Sequence, residues 1–474
     1  MDKTLNDART AMIVGEIRIA APAEEQKHFV LKPMLQLGSK CGRGFYSSLE
    51  LVWYAYVGKR HWKMLVRSEG ASKWTFVTVD KVDSVEIADH EMHRLSARIK
   101  KSRSSQVFEY KVLLDDELVF ESQGRFPSRS DSANTRTVVF GDFADGATGA
   151  SKIAQAALSL TPDLVVIPGD IVYKSGLFSE YRKHLDPVFN GSAPEGVPLA
   201  STTVIAAAAG NHDTRIPDFE DAQQHSSKED LFAFFRTWRH PDNGPQLGAK
   251  DVEDMVSKRK EGRKLLEQFG PEFIRASNYW FFQGDAQWIV LDANKYMDWR
   301  NEDLQRWLKR TLKAGRRKTW RFVTFHQPGF NSDPKYRSDW RMRVLAPIFE
   351  EFGVDVVFGG HCHFYERHRP IKFLPHDDES GKKRNPRGIT TVDLEFDGDT
   401  NRKPNGVIYI VTGAGGTLLK EELRPSRHGI SETTAFLCEN KNSLTLLDFG
   451  QRTLTIQQLD HRLKEIDRIA IDKS

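Results

Sequence analysis

The sequence predicts an all-β, immunoglobulin-like sandwich followed by an α/β domain. The first observation is a series of short segments rich in valine and aromatic residues, with turn signals between them, over residues 1–131. The second is a change of pattern, because from residue 132 apolar runs ending in glycine or proline alternate with helical segments. We therefore predict a β-sandwich domain over 1–131 and an α/β domain over 132–474.

The first domain is predicted from six strand-like segments, LVWYAYV, HWKMLVR, KWTFVTV, DSVEIAD, QVFEYKVLL and ELVFES. The Cys…Trp…Cys spacing of antibody domains is missing. No segment of this domain has a catalytic residue pattern. We expect a packing or oligomerisation module, and in the second case the chain would form homo-oligomers through it.

The second domain is predicted from helices such as TGASKIAQAALSL and NEDLQRWLKRTLKAG between the apolar runs. A charged, aromatic segment at about 218–275 reads as a mostly helical insertion. Within it, 232–240 either overhangs the site or packs in the core. The polar stretch 126–136 is a predicted linker, and 375–388 is a predicted exposed loop.

Composition excludes several classes of protein. With 39% hydrophobic and 28% charged residues in 474, the chain is a typical globular protein without a transmembrane span. The net charge of +4 is too evenly distributed for nucleic acid to be the main partner. Three distant cysteines, Cys41, Cys362 and Cys438, exclude a disulfide framework.

The N-terminal segment indicates the cellular compartment. Its apolar patch is interrupted by Glu16 and Arg18 before it could serve as a signal-peptide core. As written, the sequence therefore predicts a cytoplasmic protein. A periplasmic or secreted protein is the alternative if a signal was removed.

Five apolar runs are each followed by residues of a metal-ligand type. Singly, each loop is more typical of a turn, a helix cap or a core residue. Jointly, they predict one site, because ligands bind at the carboxyl ends of strands in α/β sheets. The residues are Asp142 in GDFADG, Asp170 and Tyr173 in GDIVY, Asn211, His212 and Asp213 in GNHD, His326 in HQPGF, and His361 and His363 in GGHCHFYER.

Seven of these side chains are candidate ligands, which is too many for one tetrahedral zinc with an open position. If one carboxylate bridges, they suit two metal ions about 3.5–4 Å apart. A mixed nitrogen and oxygen set without thiolate favours iron, manganese or zinc. Cys362 lies between the two histidines, and strand alternation would turn it away, so we expect it to be buried and inert.

The order GD…GDxxY…GNHD…VTFH…GHCHFYER resembles the purple acid phosphatases, a branch of the calcineurin-like metallophosphoesterases, over about residues 136–460. The flanking text SNYWFFQGDAQWIVLDAN and YIVTGAGG is similar too. The resemblance implies a four-layer α/β/β/α sandwich for the second domain. A preceding β-sandwich matches the larger members of the family.

The resemblance also implies a division of the ligands. The first metal, Fe(III), would be held by Asp142, Tyr173 and His363. The second, Fe(II), zinc or manganese, would be held by Asn211, His326 and His361, and Asp170 would bridge the two. Ala144 stands where the wider superfamily has a histidine, so Tyr173 must supply the missing ligand and would give the protein a visible colour.

The implied activity is hydrolysis of small phosphate monoesters, and also diesters, by in-line attack of a metal-activated hydroxide. His212 would protonate the leaving alkoxide. Asp213 would orient His212 or serve only as a cap. Many family members carry two histidines where this chain has Lys335 and Tyr336, so we expect an optimum near neutral pH.

Lys335, Tyr336 and Arg337 are the candidate substrate-binding residues. For the charged side chains among them, the alternative is a solvated surface position. Two other functions stay open. One is a phosphodiesterase or nuclease of the same superfamily, which the absent basic stripe disfavours. The other is a non-catalytic scaffold, which the complete ligand set disfavours.

Overall fold

The computed structural model describes residues 28–42, 45–46, 48–87, 90–101, 105–128, 134–217, 230–376, 386–417, 419 and 430–473. The N-terminal segment that predicts the compartment lies outside these residues. So do the centre of the predicted linker, the start of the insertion and most of the loop at 375–388. Among the described residues, no helix combines the length and apolarity needed to cross a bilayer.

Strands dominate the described chain. They are β1 (Leu31–Gln36), β2 (Cys41–Gly42), β3 (Phe45–Tyr46), β4 (Ser48–Tyr56), β5 (Trp62–Ser68), β6 (Thr75–Val77), β7 (Val79–Ile87), β8 (His90–Lys100), β9 (Val107–Leu114), β10 (Glu117–Arg125), β11 (Thr135–Val139), β12 (Leu164–Ile167), β13 (Ile205–Ala207), β14 (Tyr279–Gln283), β15 (Ala286–Val290), β16 (Trp320–Thr324), β17 (Val356–Gly359), β18 (Tyr365–His368), β19 (Ile371–Pro375), β20 (Gly388–Val392), β21 (Ile408–Thr412), β22 (Thr434–Cys438), β23 (Ser443–Phe449), β24 (Thr453–Asp460) and β25 (Glu465–Asp472).

Helices connect the strands of the second domain. They are α1 (Thr148–Ser159), α2 (Phe178–Glu180), α3 (Asp186–Phe189), α4 (Leu199–Thr202), α5 (Ala233–Thr237), α6 (Ala249–Val256), α7 (Lys260–Phe269), α8 (Phe273–Ser277), α9 (Glu302–Ala314) and α10 (Ala346–Glu351). A π-helix at Tyr181–Leu185 and a 3₁₀-helix at Arg341–Leu345 complete the set. Helices α1 and α9 match the two quoted helical predictions, and α5 to α8 lie in or next to the described part of the segment at about 218–275, whose status as an insertion stays a prediction.

Two large sheets form the centre of the molecule. A ten-stranded sheet has the order β25-β24-β23-β11-β12-β13-β1-β4-β8-β7, and a seven-stranded sheet has the order β14-β15-β16-β17-β21-β18-β22. The strands that precede the candidate ligands run parallel to one another, β11, β12 and β13 in the first sheet and β16 and β17 in the second. Within each sheet, their carboxyl ends therefore lie at the same edge, where ligands bind in α/β sheets.

The second domain has four layers, as predicted. Strand alternation divides the side chains of β12, since Leu164 and Val166 face the core between the sheets while Val165 and Ile167 face the helix layer. Helix α1 packs in that outer layer. On the other side, α9 and α10 cover the outer face of the seven-stranded sheet.

The N-terminal β-sandwich is also present. A four-stranded sheet, β10-β9-β5-β6, packs against β1, β4, β8 and β7 around a core that contains Trp53, Met64 and Tyr110. Strand β1 pairs in parallel with β13 at Gln36 and Ile205, so the sandwich shares its first sheet with the second domain. The boundary between 1–131 and 132–474 stays a prediction.

The aromatic segment of the insertion packs in the core. Phe232, Phe234 and Trp238 are buried, and the Trp238 indole donates a hydrogen bond to the Tyr181 hydroxyl at 3.0 Å. The segment therefore joins the insertion to the layer around the π-helix, rather than presenting an apolar wall to a ligand.

Candidate metal centre

Three candidate ligands lie in turns with a left-handed backbone. Asp142, Asp170 and His361 have φ angles of 59°, 51° and 73°. Each such conformation costs a non-glycine residue about 1–3 kcal/mol and is concentrated at functional sites in proteins. The turns directly after β11, β12 and β17 are therefore the strained part of the sheet edge.

Glycines allow these turns to approach one another. A Cβ atom at Gly210 would lie 2.1 Å from Asp170 Oδ1, and one at Gly360 would lie 2.6 Å from Asp142 Oδ2. A side chain at either position would displace a candidate ligand. The glycines before Asn211 and before His361 are thus required by the packing of the site.

Tyr173 lies at the centre of the first group of ligands. Its hydroxyl is 2.9 Å from Asp142 Oδ1, 3.1 Å from Asp170 Oδ2 and 3.2 Å from His363 Nε2. His363 Nε2 is in turn 3.4 Å from Asp142 Oδ1. The four side chains predicted around the first metal are thus brought together from three separate loops.

His326 lies at the centre of the second group. Its Nε2 atom is 3.1 Å from Asp170 Oδ2 and 3.1 Å from Asn211 Oδ1. Its Nδ1 atom contacts the Pro168 carbonyl at 2.9 Å, which fixes the orientation of the ring. The ligand atoms of Asp170, His326 and His361 lie within 4.8 Å of one another, so Asp170 belongs to both groups.

These distances fit metal ions. Two ligand atoms that each lie about 2.1 Å from a common ion are separated by about 3.0–3.4 Å, depending on the angle at the ion. The separations around Tyr173 and His326 range from 2.9 to 3.4 Å. The oxygen and imidazole donors are also those that iron, zinc and manganese accept.

The electrostatics favour a cation beside Asp170. Burial opposes its ionisation, but His326 and His212 outweigh burial and lower the pKa of Asp170. Burial also opposes protonation of His326, yet Asp170 raises the pKa of that imidazole to about 9. Asp142 and Asp170 are almost completely buried. A bound cation would supply the positive charge that this pair of carboxylates requires.

Two further pKa shifts bear on the donor set. Burial, together with Asp142 and Asp170, holds the pKa of Tyr173 well above its ordinary value. A cation at the same place would favour the phenolate instead. Burial and His326 hold the pKa of His361 well below its ordinary value, so this imidazole is neutral, the form that binds metal.

His212 lies at the edge of the two groups. Its Nδ1 atom contacts the Lys174 carbonyl at 2.5 Å, and its Nε2 atom is 4.0 Å from Asp170 Oδ2. Because a carbonyl only accepts, the proton of the ring sits on Nδ1 in the neutral form. Nε2 therefore faces the carboxylate and is the atom available for proton transfer.

Asp213 contacts backbone amides. Its carboxylate accepts hydrogen bonds from the backbone N–H groups of Asp170, Ile171 and Gly210, at 2.8–3.1 Å. Burial and the nearby Asp170 raise the pKa of Asp213. The side chain thus ties the loops after β12 and β13 together, whereas the His212 ring is oriented by the Lys174 carbonyl.

The candidate substrate-binding residues lie on the loop after His326. The Tyr336 ring is 3.9 Å from the His361 ring, centroid to centroid, and Lys335 Nζ lies 4.8 Å from the centroid of Tyr336. Lys335 is exposed and Tyr336 is half-buried. The half-buried Arg337 accepts a hydrogen bond from the Trp340 indole through its backbone carbonyl. Only Tyr336 of the three is seen in contact with a candidate ligand.

Two smaller predictions concern residues beside the ligands. Cys362 is a free, buried thiol, as predicted from its position between His361 and His363. Ala144 is buried and forms a bridge with Val172, directly before Tyr173. That the Cys362 thiol is chemically inert stays a prediction.

The sequence analysis missed one strand end. Asp292 and Asn294 follow β15, the neighbour of β16 in the seven-stranded sheet, and both are buried at the same edge. The rule that identified the other five loops would have found them in LDAN, because a buried apolar run precedes them.

Residues 135–365 match the family model described as calcineurin-like phosphoesterase. Among curated proteins, Purple acid phosphatase 18 of Arabidopsis thaliana is 32% identical over 125 residues, covering 25% of this chain and 28% of that protein. The match thus spans about a quarter of that relative, and the next two relatives are covered over 27% and 36% of their lengths.

Two solved structures share the fold over nearly the whole chain. Purple acid phosphatase PPD1 from yellow lupin (Lupinus luteus) seeds superposes with a TM-score of 0.60 at 16% identity, covering 93% of this chain and 74% of that one. The structure of PhoD superposes with a TM-score of 0.58 at 12% identity, covering 94% and 91%. At sequence identities this low, the two superpositions show that the folds are similar.

Proposed function

Because this chain is a purple acid phosphatase-like member of the calcineurin-like metallophosphoesterases, we propose that it is a dinuclear-metal hydrolase of phosphate monoesters. Diesters are the nearest variant of this substrate class. The observation that carries the proposal is the convergence of oxygen and imidazole donors from five strand ends, with Asp170 common to both groups.

The ligand assignment follows the two groups of donors. Asp142, Tyr173 and His363 would hold the first ion, for which the phenol favours Fe(III). Asn211, His326 and His361 would hold the second, which would be Fe(II), zinc or manganese, and Asp170 would serve both. When bound, two such ions lower the pKa of water and clamp the attacking and leaving oxygens of an in-line displacement.

The residues of the chain prepare this site. Asp213 holds the turns that carry Asp170 and Asn211 at a fixed separation through its three backbone contacts. The sharp turns keep the ligand side chains aimed at the same region before any substrate arrives. Such preorganisation saves reorganisation when charge develops on the reacting phosphoryl group.

His212 is proposed as the general acid. The contact between its Nδ1 and the Lys174 carbonyl leaves Nε2 on the side of Asp170, where a leaving oxygen would sit. A protonated Nε2 would donate to that oxygen as the P–O bond breaks, a contribution of about 10²–10⁴ in rate. Asp213 acts through the loop and is therefore a positioning residue.

Substrate would approach over Tyr336, whose ring covers His361. Lys335 beside it would offer a positive charge to the phosphate or to a second anionic group. Arg337, two residues further along the same loop, would offer a second positive charge to the substrate. We also propose that the chain assembles into homo-oligomers through the β-sandwich.

The test compares p-nitrophenyl phosphate with bis(p-nitrophenyl) phosphate after the protein has been loaded with metal. We expect the monoester to be the better substrate by kcat/KM. A preference for the diester would favour a phosphodiesterase or nuclease. Cleavage of neither ester would favour the non-catalytic scaffold.

His212→Ala sharpens the test. An alkyl phosphate has a leaving group that needs a proton, whereas p-nitrophenolate is already a stable anion near neutral pH. We therefore expect the variant to lose about 10²–10⁴ in kcat on the alkyl ester and much less on the nitrophenyl ester. His461→Ala, in the turn between β24 and β25, is the control and should change neither rate. Equal losses on both esters would contradict the general-acid role.

A further inference from the structure

Asn294 connects two ligand loops that come from different sheets. It lies in the LDAN segment after β15 and is 3% exposed. Its side-chain Nδ2 donates hydrogen bonds to the carbonyls of Ala209 and Gly210, both at 3.2 Å. Its Oδ1 accepts one from Gln327 Nε2 at 3.0 Å. One amide group thus binds the two segments next to Asn211 and His326.

The connection occurs where the two ligands meet. Gly210 directly precedes Asn211, and Gln327 directly follows His326. The ligand atoms of that pair, Asn211 Oδ1 and His326 Nε2, are 3.1 Å apart. A shift of either loop would change this separation, because each contact of Asn294 is one residue from a ligand.

Asn294 is itself held rigidly. The Asp292 carboxylate accepts hydrogen bonds from the Asn294 backbone N–H at 2.9 Å and from the Tyr296 hydroxyl at 2.6 Å. The Asp292 carbonyl accepts one from the Trp299 indole at 2.8 Å. A side chain anchored in this way can impose a position on its neighbours rather than follow them.

We propose that Asn294 is a positioning residue that sets the affinity of the site formed by Asn211, His326 and His361. This inference rests on the ligand set of the proposed function. The other three ligands, Asp142, Tyr173 and His363, are carried by other loops. The effect of Asn294 should therefore fall on one of the two ions.

The experiment titrates the metal-free protein with Zn²⁺ and compares the wild type with Asn294→Leu, which has a similar size and no polar atoms. We expect two binding steps in the wild type and a loss of about 10–100-fold in the affinity of one step in the variant. The other step should be unchanged. Gln327→Leu, which removes one of the three hydrogen bonds, should weaken the same step by a smaller factor.

Asn243→Leu is the matched control. The side chain of Asn243 also makes two hydrogen bonds to backbone, with the N–H and carbonyl of Trp280 at 3.0 and 2.7 Å, on strand β14. It should lower the Tm of the metal-free protein as much as Asn294→Leu does while leaving both Zn²⁺ steps intact. An equal loss of Zn²⁺ affinity in this control would overturn the proposal, since general destabilisation would then explain the effect.

Double variants identify the affected ion. In an Asn211→Ala background, Asn294→Leu should have no further effect on Zn²⁺ binding, whereas in a His363→Ala background its effect should persist. The reverse pattern would overturn the assignment. A wild type that binds two Zn²⁺ ions but cleaves no ester would refute the proposed function alone. Unchanged affinity in Asn294→Leu would refute this inference alone.

Discussion

The two central sheets contribute different kinds of donor to the same site. The metal ligands proposed on the loops of the ten-stranded sheet, after β11, β12 and β13, are all oxygen donors, namely Asp142, Asp170, Tyr173 and Asn211. The metal ligands proposed on the loops of the seven-stranded sheet, after β16 and β17, are all imidazoles, namely His326, His361 and His363. Neither sheet alone has a mixed nitrogen and oxygen set.

The difference shows that the site depends on the packing of one sheet on the other. The oxygen side concentrates buried negative charge, and the imidazole side neutralises part of it, as the raised pKa of His326 indicates. The pair His326 and Asp170, at 3.1 Å, spans the junction between the sheets. Metal binding should therefore report on the relative position of the sheets as well as on the ligands.

Asp170→Asn should have the largest effect, because Asp170 is the donor that contacts both groups. Asparagine tolerates the left-handed backbone at this position, so the turn should survive while the charge is lost. We expect loss of both ions by elemental analysis and a fall in phosphatase activity of at least about 10³-fold. Asp142→Asn, at a turn of similar φ, should lose only one ion. Retention of two ions by Asp170→Asn would contradict the shared role.

Truncation of a core tryptophan should show whether Zn²⁺ binding depends on the junction between the two sheets or on the stability of the whole fold. Trp288 is fully buried between the two sheets, where it packs against Phe322 at 4.7 Å, and Trp53 is equally buried in the N-terminal sandwich. Each change to alanine should cost about 3–5 kcal/mol of unfolding free energy in denaturant titrations.

Only Trp288→Ala should also weaken Zn²⁺ binding, because only that cavity lies beneath the strands that carry the ligands. Trp53→Ala serves as its control of equal size and burial. Equal weakening by both variants would mean that the site responds to overall stability and not to the junction of the sheets.

The ligand loops were predictable because each donor directly follows a buried strand in the sequence. Asn294 obeys the same rule, but LDAN ends in an amide whose contacts are with backbone carbonyls far away in sequence, so composition gives no sign of its role. The same holds for the Lys174 carbonyl against His212, since any residue can supply a carbonyl.

Strands β1 and β8 escaped prediction for a different reason. Strand β1 is buried at all six positions and contains Pro33, which disfavours a strand assignment. Strand β8, HEMHRLSARIK, is rich in helix formers, yet it pairs with β4 from Ser48 to Tyr56. Long-range pairing therefore overrides local propensity, and it also makes one sheet continuous across the two predicted domains.

Acid should weaken the junction through His240. This ring stacks on the ring of Tyr279 in the seven-stranded sheet, with 4.2 Å between the centroids. The Tyr279 hydroxyl donates a hydrogen bond at 2.9 Å to the Ala207 carbonyl in the ten-stranded sheet. Burial lowers the pKa of His240 to about 3. Between that value and an ordinary histidine pKa of about 6.5, the unfolded chain binds the extra proton, so stability falls as pH falls, by up to about 1.4 kcal/mol per unit.

His240→Phe keeps the aromatic stack and removes the titration. We expect its unfolding free energy, measured by denaturant titration from pH 7 to pH 4, to depend less steeply on pH than that of the wild type. Tyr279→Phe, which removes the hydroxyl contact with the Ala207 carbonyl and keeps His240, should leave the slope unchanged. A slope unaltered by His240→Phe would place the acid sensitivity elsewhere.

Changes to the helix caps should have the smallest effects on unfolding free energy. They test whether the outer helix layers influence the site. Helix α9, which covers the seven-stranded sheet, is capped by Asn301. The Asn301 side chain accepts hydrogen bonds from the backbone N–H groups of Asp303 and Leu304. Helix α1, which covers the ten-stranded sheet, begins after Ala147 without a side-chain cap. Asn301→Ala should therefore lower the unfolding free energy by about 1 kcal/mol, and Ala147→Ser should raise it by up to a similar amount.

Neither capping variant should change Zn²⁺ affinity, because both helix ends stabilise an outer layer without moving one sheet against the other. Thermal unfolding of the metal-free protein measures the first effect, and the Zn²⁺ titration measures the second. If Ala147→Ser alone altered Zn²⁺ binding, the N-cap of α1, five residues after Asp142 in the chain, would also contribute to the oxygen side of the site.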